Sequence, residues 1–165
     1  MTMTMDSTAD TVSTTKDEFL RAKAQLIRAL EKTPDDRINW SPSETARTPV
    51  HIVAHAACAI EFIHQMMMGK PFDIATTADA DRYFLDAERP YTTREDALSL
   101  LESKSDAFVT WLESVTAEDL AVMAPMPFGM GAVPVSLGIT FPAMHTQGHT
   151  AQIDYIQTIY GDRSW

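Results

Sequence analysis

A single cysteine, Cys58, rules out an internal disulfide, and 6 glycines in 165 residues rule out a fibrous or low-complexity chain. Lysine and arginine number 13 against 23 aspartates and glutamates, a formal charge of -10. The clustered basic side chains on which nucleic-acid affinity rests are therefore missing. There is also no charged-then-apolar leader, and no apolar run reads as long enough to span a bilayer. These absences leave an acidic chain expected in the cytoplasm, with neither nucleic acid nor membrane as a partner.

What is present is helical periodicity. Residues 1–14 are small and polar and read as a loose tail, so residues 15–165 are expected to form one domain. From Thr15, which with Glu18 makes a capping-box pattern, Phe19, Ala22, Leu26, Ile27 and Leu30 recur at helical spacing as far as Pro34. Ile38 and Trp40 are expected to tuck inward from the connection that follows. A second helix opens with Thr48 as cap and Pro49 at its first position, carries His51 and His55 on a wide apolar arc, and stops at Gly69 and Pro71. Glu61, His64 and Gln65 mark its wet side.

The stretch from Pro71 to Tyr91 is an acid-rich connection with room for a short helix, and Asp79, Asp81, Asp86 and Glu88 read as a solvated acidic loop. A third helix begins after Thr92 or Thr93 and ends near Val115. Pro125, Pro127, Gly129, Gly131 and Pro134 then impose an irregular or hairpin-like loop. The last helix runs from Leu137 or Pro142 to Tyr160 and stops at Gly161. On it His145, His149, Gln152, Ile153 and Ile156 share the inward arc, while Thr146, Gln147, Thr150, Asp154 and Gln157 occupy the other. Four such helices with no competing strand pattern specify an all-α four-helix bundle with long crossover connections.

The chemistry sits in the histidines. His145 and His149, four apart, stack on one helical face. If His55 meets them from a facing helix, three imidazoles can hold a divalent ion and leave a position open for water or substrate. Each histidine taken alone is more commonly a core residue satisfied by one hydrogen bond. His145-Thr146-Gln147-Gly148-His149 also lacks the glutamate of the HExxH metalloprotease pattern. His51, one turn before His55, reads as a fourth ligand, an acid or base, or pocket wall. His64 reads as a surface residue, Cys58 as a small buried hydrophobe, and Met66, Met67 and Met68 as packing or an apolar pocket lining. Phe128-Gly129-Met130-Gly131 has no preceding strand and is not a dinucleotide loop.

Asn39-Trp40-Ser41-Pro42, Val53-Ala54-His55, the glycine- and proline-rich loop near Gly129, and His145-xxx-His149-xx-Gln152 followed by Gly161 together resemble the DinB-like (DinB/YfiT-like) metalloenzyme family. The resemblance runs from about Lys16 to Asp162 and implies an up-down-down-up bundle, often dimeric. It implies a divalent metal, nickel or zinc most commonly with manganese or iron as alternatives, on His55, His145 and His149. It further implies thiol-dependent transferases or isomerases that use a low-molecular-weight thiol against a small electrophile. His51 and Tyr155 are then expected as proton shuttle or pocket polar groups, and Gln152 as the hydrogen-bond partner that orients a ligand. His51 before the ligand histidine and Ala151, where a glycine often stands, depart from the commonest pattern. A non-catalytic protein that binds metal or a small ligand in stress response, and a metal-free structural dimer, stand as the alternatives.

Overall fold

The computed structural model describes residues 5–70 and 72–164. Its elements are α1 (Met5–Lys32), α2 (Pro49–Met67), α3 (Thr77–Glu88), α4 (Arg94–Leu112), α5 (Ala117–Ala121), β1 (Met123–Pro125), β2 (Ala132–Pro134), α6 (Val135–Gly138) and α7 (Phe141–Ile159). The four long helices form the expected bundle. α2 packs against α4 and α7, and α1 closes the ring against α7 and α4. One crossover, from α2 to α4, carries α3. The other, from α4 to α7, carries α5, the antiparallel β1–β2 hairpin and α6.

Local chemistry sets the helix starts. Thr48, Thr93 and Thr116 each accept a backbone N–H with the side-chain hydroxyl, from His51, Asp96 and Asp119 respectively, and Pro49 supplies a preset φ at the first position of α2. The Thr48 cap orients the helix that bears His51 and His55. Replacing Thr48 with Ala is expected to cost about 1 kcal/mol and lower the melting temperature by about 2–4 °C in a thermal unfolding scan.

The core is Phe19, Leu26 and Leu30 of α1, Val53 and Ile60 of α2, Leu101, Phe108 and Leu112 of α4, and Ile153 of α7, all fully buried. Phe19 and Phe108 meet edge to face with centroids 5.0 Å apart. Arg94 closes the C-terminal end of α1, donating to the carbonyls of Leu30 and Thr33 and to the Asp35 carboxylate, the last two at 2.9 and 2.7 Å. Trp40, from the α1–α2 connection, packs edge-on against Tyr160, and the Ile38 carbonyl accepts from Val50 N–H at 3.0 Å.

Several expectations need correction. α1 begins at Met5, so residues 5–14 are helix rather than tail, and Thr15, 4% exposed, is an interior residue rather than a cap. Val12 packs onto the core from this extension; residues 1–4 lie outside the described residues. α2 is long and apolar enough to cross a membrane by length and composition, but 61% of its most apolar window is buried inside the fold. It is the central helix, covered by α4 on the side expected to be wet. His64 is accordingly half-buried, its ring 4.9 Å from Trp111. On α7, Thr146 and Gln157 are fully buried, and Gln157 Nε2 donates to the Ala29 carbonyl at 3.1 Å. Short or hydrogen-bonded polar side chains therefore line the α1–α7 contact.

Candidate metal centre

His55, His145 and His149 converge. One ring nitrogen from each lies within 4.8 Å of the others, and the centroids are 4.8 Å (His55–His149), 5.5 Å (His55–His145) and 4.4 Å (His145–His149) apart. α2 supplies the first ring and α7 the other two, one helical turn apart. His149 is 9% exposed, and the other two are half-buried.

The back nitrogens are engaged. Gln152 Oε1 lies 2.8 Å from His149 Nδ1, and Glu88 Oε1 lies 2.5 Å from His55 Nδ1. Both oxygens only accept, so each Nδ1 carries a proton, and in the neutral imidazole the lone pair is then on Nε2. His149 Nε2 in turn sits 2.8 Å from His145 Nε2. Burial, then the neighbouring His149 and His55, pushes the His145 imidazole down to about 3. Burial likewise takes His149 down to about 4, partly opposed by its bond to Gln152. Both rings are therefore neutral at physiological pH, the form that ligates a metal.

The donor set suits a divalent ion. Two nitrogens each about 2.0–2.1 Å from a tetrahedral ion are about 3.4 Å apart, so the widest pair needs to close by about 1.4 Å at most. Two lone pairs are already fixed by partners behind the rings, as in metal-bound histidines. His55, His145 and His149 would hold such an ion.

The same burial makes the metal-free fold acid-sensitive. The folded chain holds these imidazoles below their ordinary 6.5 and so binds fewer protons than the unfolded chain does beneath that pH. His51 and His64, also lowered by burial, act in the same direction. Stability is full above about pH 6.5 and falls as pH drops toward 4. Each fully effective imidazole contributes about 1.4 kcal/mol per pH unit. Thermal melts of chelated protein should show a melting temperature at least about 5 °C lower at pH 5 than at pH 7.5; a flat profile over that interval would contradict the burial of these rings.

Around the cluster, His51 lies one turn before His55 on α2, half-buried, and its Nε2 makes no hydrogen bond among the described residues. Tyr155 is 69% exposed on α7. With Gln152, Gly148, Arg47 and Ile52 it lines an open groove of about 510 Å³ that, like the next one, none of the three histidines lines, although Gln152 bonds His149 and Arg47 bonds Glu88. A larger groove of about 780 Å³, between α1 and the α4–α5 segment, is lined by none of the three histidines. Cys58 is partly buried, with its thiol pushed up to about 11 by that burial, which removes it from thiolate chemistry.

Glu88 is the residue that sequence reasoning missed. It is not part of a solvated acidic loop but 1% exposed at the end of α3, between His55 and Arg47. Arg47 Nε donates to Glu88 Oε2 at 2.7 Å, and Arg47 Nη2 donates to Asp81 Oδ1 at 3.0 Å. One turn earlier on α3, Phe84 packs edge-on to His55 with centroids 4.9 Å apart. Phe84 in turn belongs to an aromatic cluster with Phe62 and Tyr83.

Fold and site together define a helical bundle with an inward three-histidine cluster fit for a divalent metal. The sequence model of the DinB superfamily matches residues 18–153, and the chain belongs to that superfamily. Among solved structures it is similar to DfsB, described as a sibling lethal factor precursor. The two share 15% identity over 92% of this chain and 97% of that one, with a TM-score of 0.72. It is also similar to YfiT from Bacillus subtilis, described as a probable metal-dependent hydrolase with an unusual four-helix bundle topology. Here identity is 14% over 96% of this chain and 90% of that one, with a TM-score of 0.69. No curated protein matches the chain in sequence.

Proposed function

We propose that this protein is a divalent-metal-dependent enzyme acting on a small molecule at the His55, His145 and His149 cluster. The observation that carries the reading is the pinning of two back nitrogens by Gln152 and Glu88, which turns lone pairs rather than N–H groups toward a common point. Nickel or zinc is the proposed metal. When bound, such an ion supplies Lewis acidity and lowers the pKa of a water or thiol that it holds.

The chain's own residues do the rest. Gln152 orients His149. His51, neutral because burial lowers its pKa and with a free buried nitrogen, is the group proposed to take or return a proton beside the cluster. Tyr155 offers a hydroxyl at the rim of the groove along α7. The reaction proposed is transfer of a low-molecular-weight thiol to a small electrophile, or a related isomerisation, as the family resemblance implies. Hydrolysis is the second reading, favoured by the description of YfiT. The protein is proposed to work in the cytoplasm as a homodimer, and its acidity disfavours nucleic acid as a partner.

The test is turnover by nickel- or zinc-loaded protein against two panels, activated esters and amides on one side and thiol–electrophile pairs on the other. Turnover that disappears on chelation, returns with metal and falls in His51→Ala supports the reading. A loaded protein inert on both panels would leave the cluster a metal holder without catalysis.

A further inference from the structure

We infer that Glu88 is a positioning residue for the cluster: its carboxylate fixes the His55 tautomer that presents Nε2 to His145 and His149. The inference rests on the metal reading above for its purpose, but its geometry stands without it. Both oxygens of Glu88 are committed, Oε1 to His55 Nδ1 at 2.5 Å and Oε2 to Arg47 Nε at 2.7 Å. The side chain is 2% exposed, so water does not compete for either bond. Arg47 is anchored by its second ion pair, to Asp81 on the first turns of the same helix. α3 therefore meets the body of the bundle at a carboxylate clamped from both sides, and one arm of that clamp is a ring of the cluster.

The alternative is a plain buried ion pair, Arg47–Glu88, in which His55 is incidental. The two accounts differ in where the His55 proton sits, and one substitution separates them. In Glu88→Gln the terminal group keeps its shape but has one oxygen and one NH₂. Arg47 Nε–H always donates, so the oxygen must face it and the NH₂ must face His55 Nδ1. A donor in that place requires a lone pair on Nδ1, which moves the ring proton to Nε2, the nitrogen needed for ligation.

The experiment has two readouts. Long-range proton–nitrogen NMR of metal-free protein reports which His55 nitrogen carries the proton. Competition against a chromophoric chelator reports the zinc dissociation constant. We expect Nδ1–H in the wild-type chain and Nε2–H in Glu88→Gln, with zinc binding weakened about 10- to 100-fold. Glu88→Ala, read the same way should Glu88→Gln not fold, is expected to lose the fixed tautomer and a similar factor in affinity. A wild-type His55 protonated on Nε2, or folded variants with the proton unmoved and affinity within about 2-fold, would overturn the assignment. Should the wild-type chain bind no zinc, the metal reading fails by itself, and the tautomer readout still decides the role of Glu88.

Discussion

His149→Ala should lose the metal while keeping the fold. His149 is the hub of the cluster: its Nε2 faces His145 at 2.8 Å, its Nδ1 is held by Gln152 at 2.8 Å, and its ring is 4.8 Å from that of His55. Removing it deletes one of three ligands and frees His145 from its only hydrogen-bonded ring neighbour among the described residues. Loss of a partner behind a ligand already costs about 10- to 100-fold in affinity, so loss of the ligand itself should exceed about 100-fold. At pH 7.5 the imidazole is neutral in both folded and unfolded chains, so its removal costs only the packing and hydrogen bonds of a buried ring; the metal-free variant should be modestly less stable there and should lose part of the acid sensitivity expected toward pH 5. Titration with zinc and melts at pH 5 and 7.5 check both halves; wild-type affinity in His149→Ala would remove the cluster from metal binding.

Phe108→Ala should show the largest stability effect and leave the metal in place. Phe108 is fully buried on α4, meets Phe19 at 5.0 Å, and lies 6.0 Å from both His64 and Trp111. It joins α1, α2 and α4 through these contacts, so its removal opens a cavity among three helices. Truncation of such an aromatic costs about 3–5 kcal/mol, equivalent to roughly 6–20 °C in melting temperature for a chain of this length. The urea midpoint should fall with little change in slope. Metal stoichiometry below the transition should not change, since the ligands come from α2 and α7. A cost under about 1 kcal/mol would mean that the core is packed differently.

The parts legible in the sequence were those that local chemistry decides. Thr48-Pro49 starts α2, Thr93 starts α4, and the prolines and glycines from Pro125 to Pro134 force the hairpin. The histidine spacing placed two rings on one face and the apolar arc of the second helix offered His55 as the third, whose convergence with them the family resemblance implied. What escaped depended on contacts between distant segments. Glu88 looked like its solvated neighbours Asp79 and Asp86, because only Arg47 and His55 distinguish it, and both lie far off in sequence. His64 was misplaced because a helical wheel shows one apolar arc and cannot show that α4 covers the opposite side. The start of α1 was missed because threonines and serines are weak helix formers. Here the helix continues with Val12 packed on the core, and the Thr11 hydroxyl is satisfied locally by the Ser7 carbonyl at 2.8 Å. Thr146 and Gln157 were misassigned because a polar side chain can pack inward when the facing helix offers a carbonyl.

The most direct test of the account is elemental analysis of tag-free protein purified without chelator or affinity metal. About one equivalent of a divalent transition metal per chain is expected, removed by chelation and restored by nickel or zinc. Protein that carries no metal as purified and takes up none on reconstitution at pH 7.5 would contradict it, and would return His55, His145 and His149 to the role of packed, hydrogen-bonded core residues.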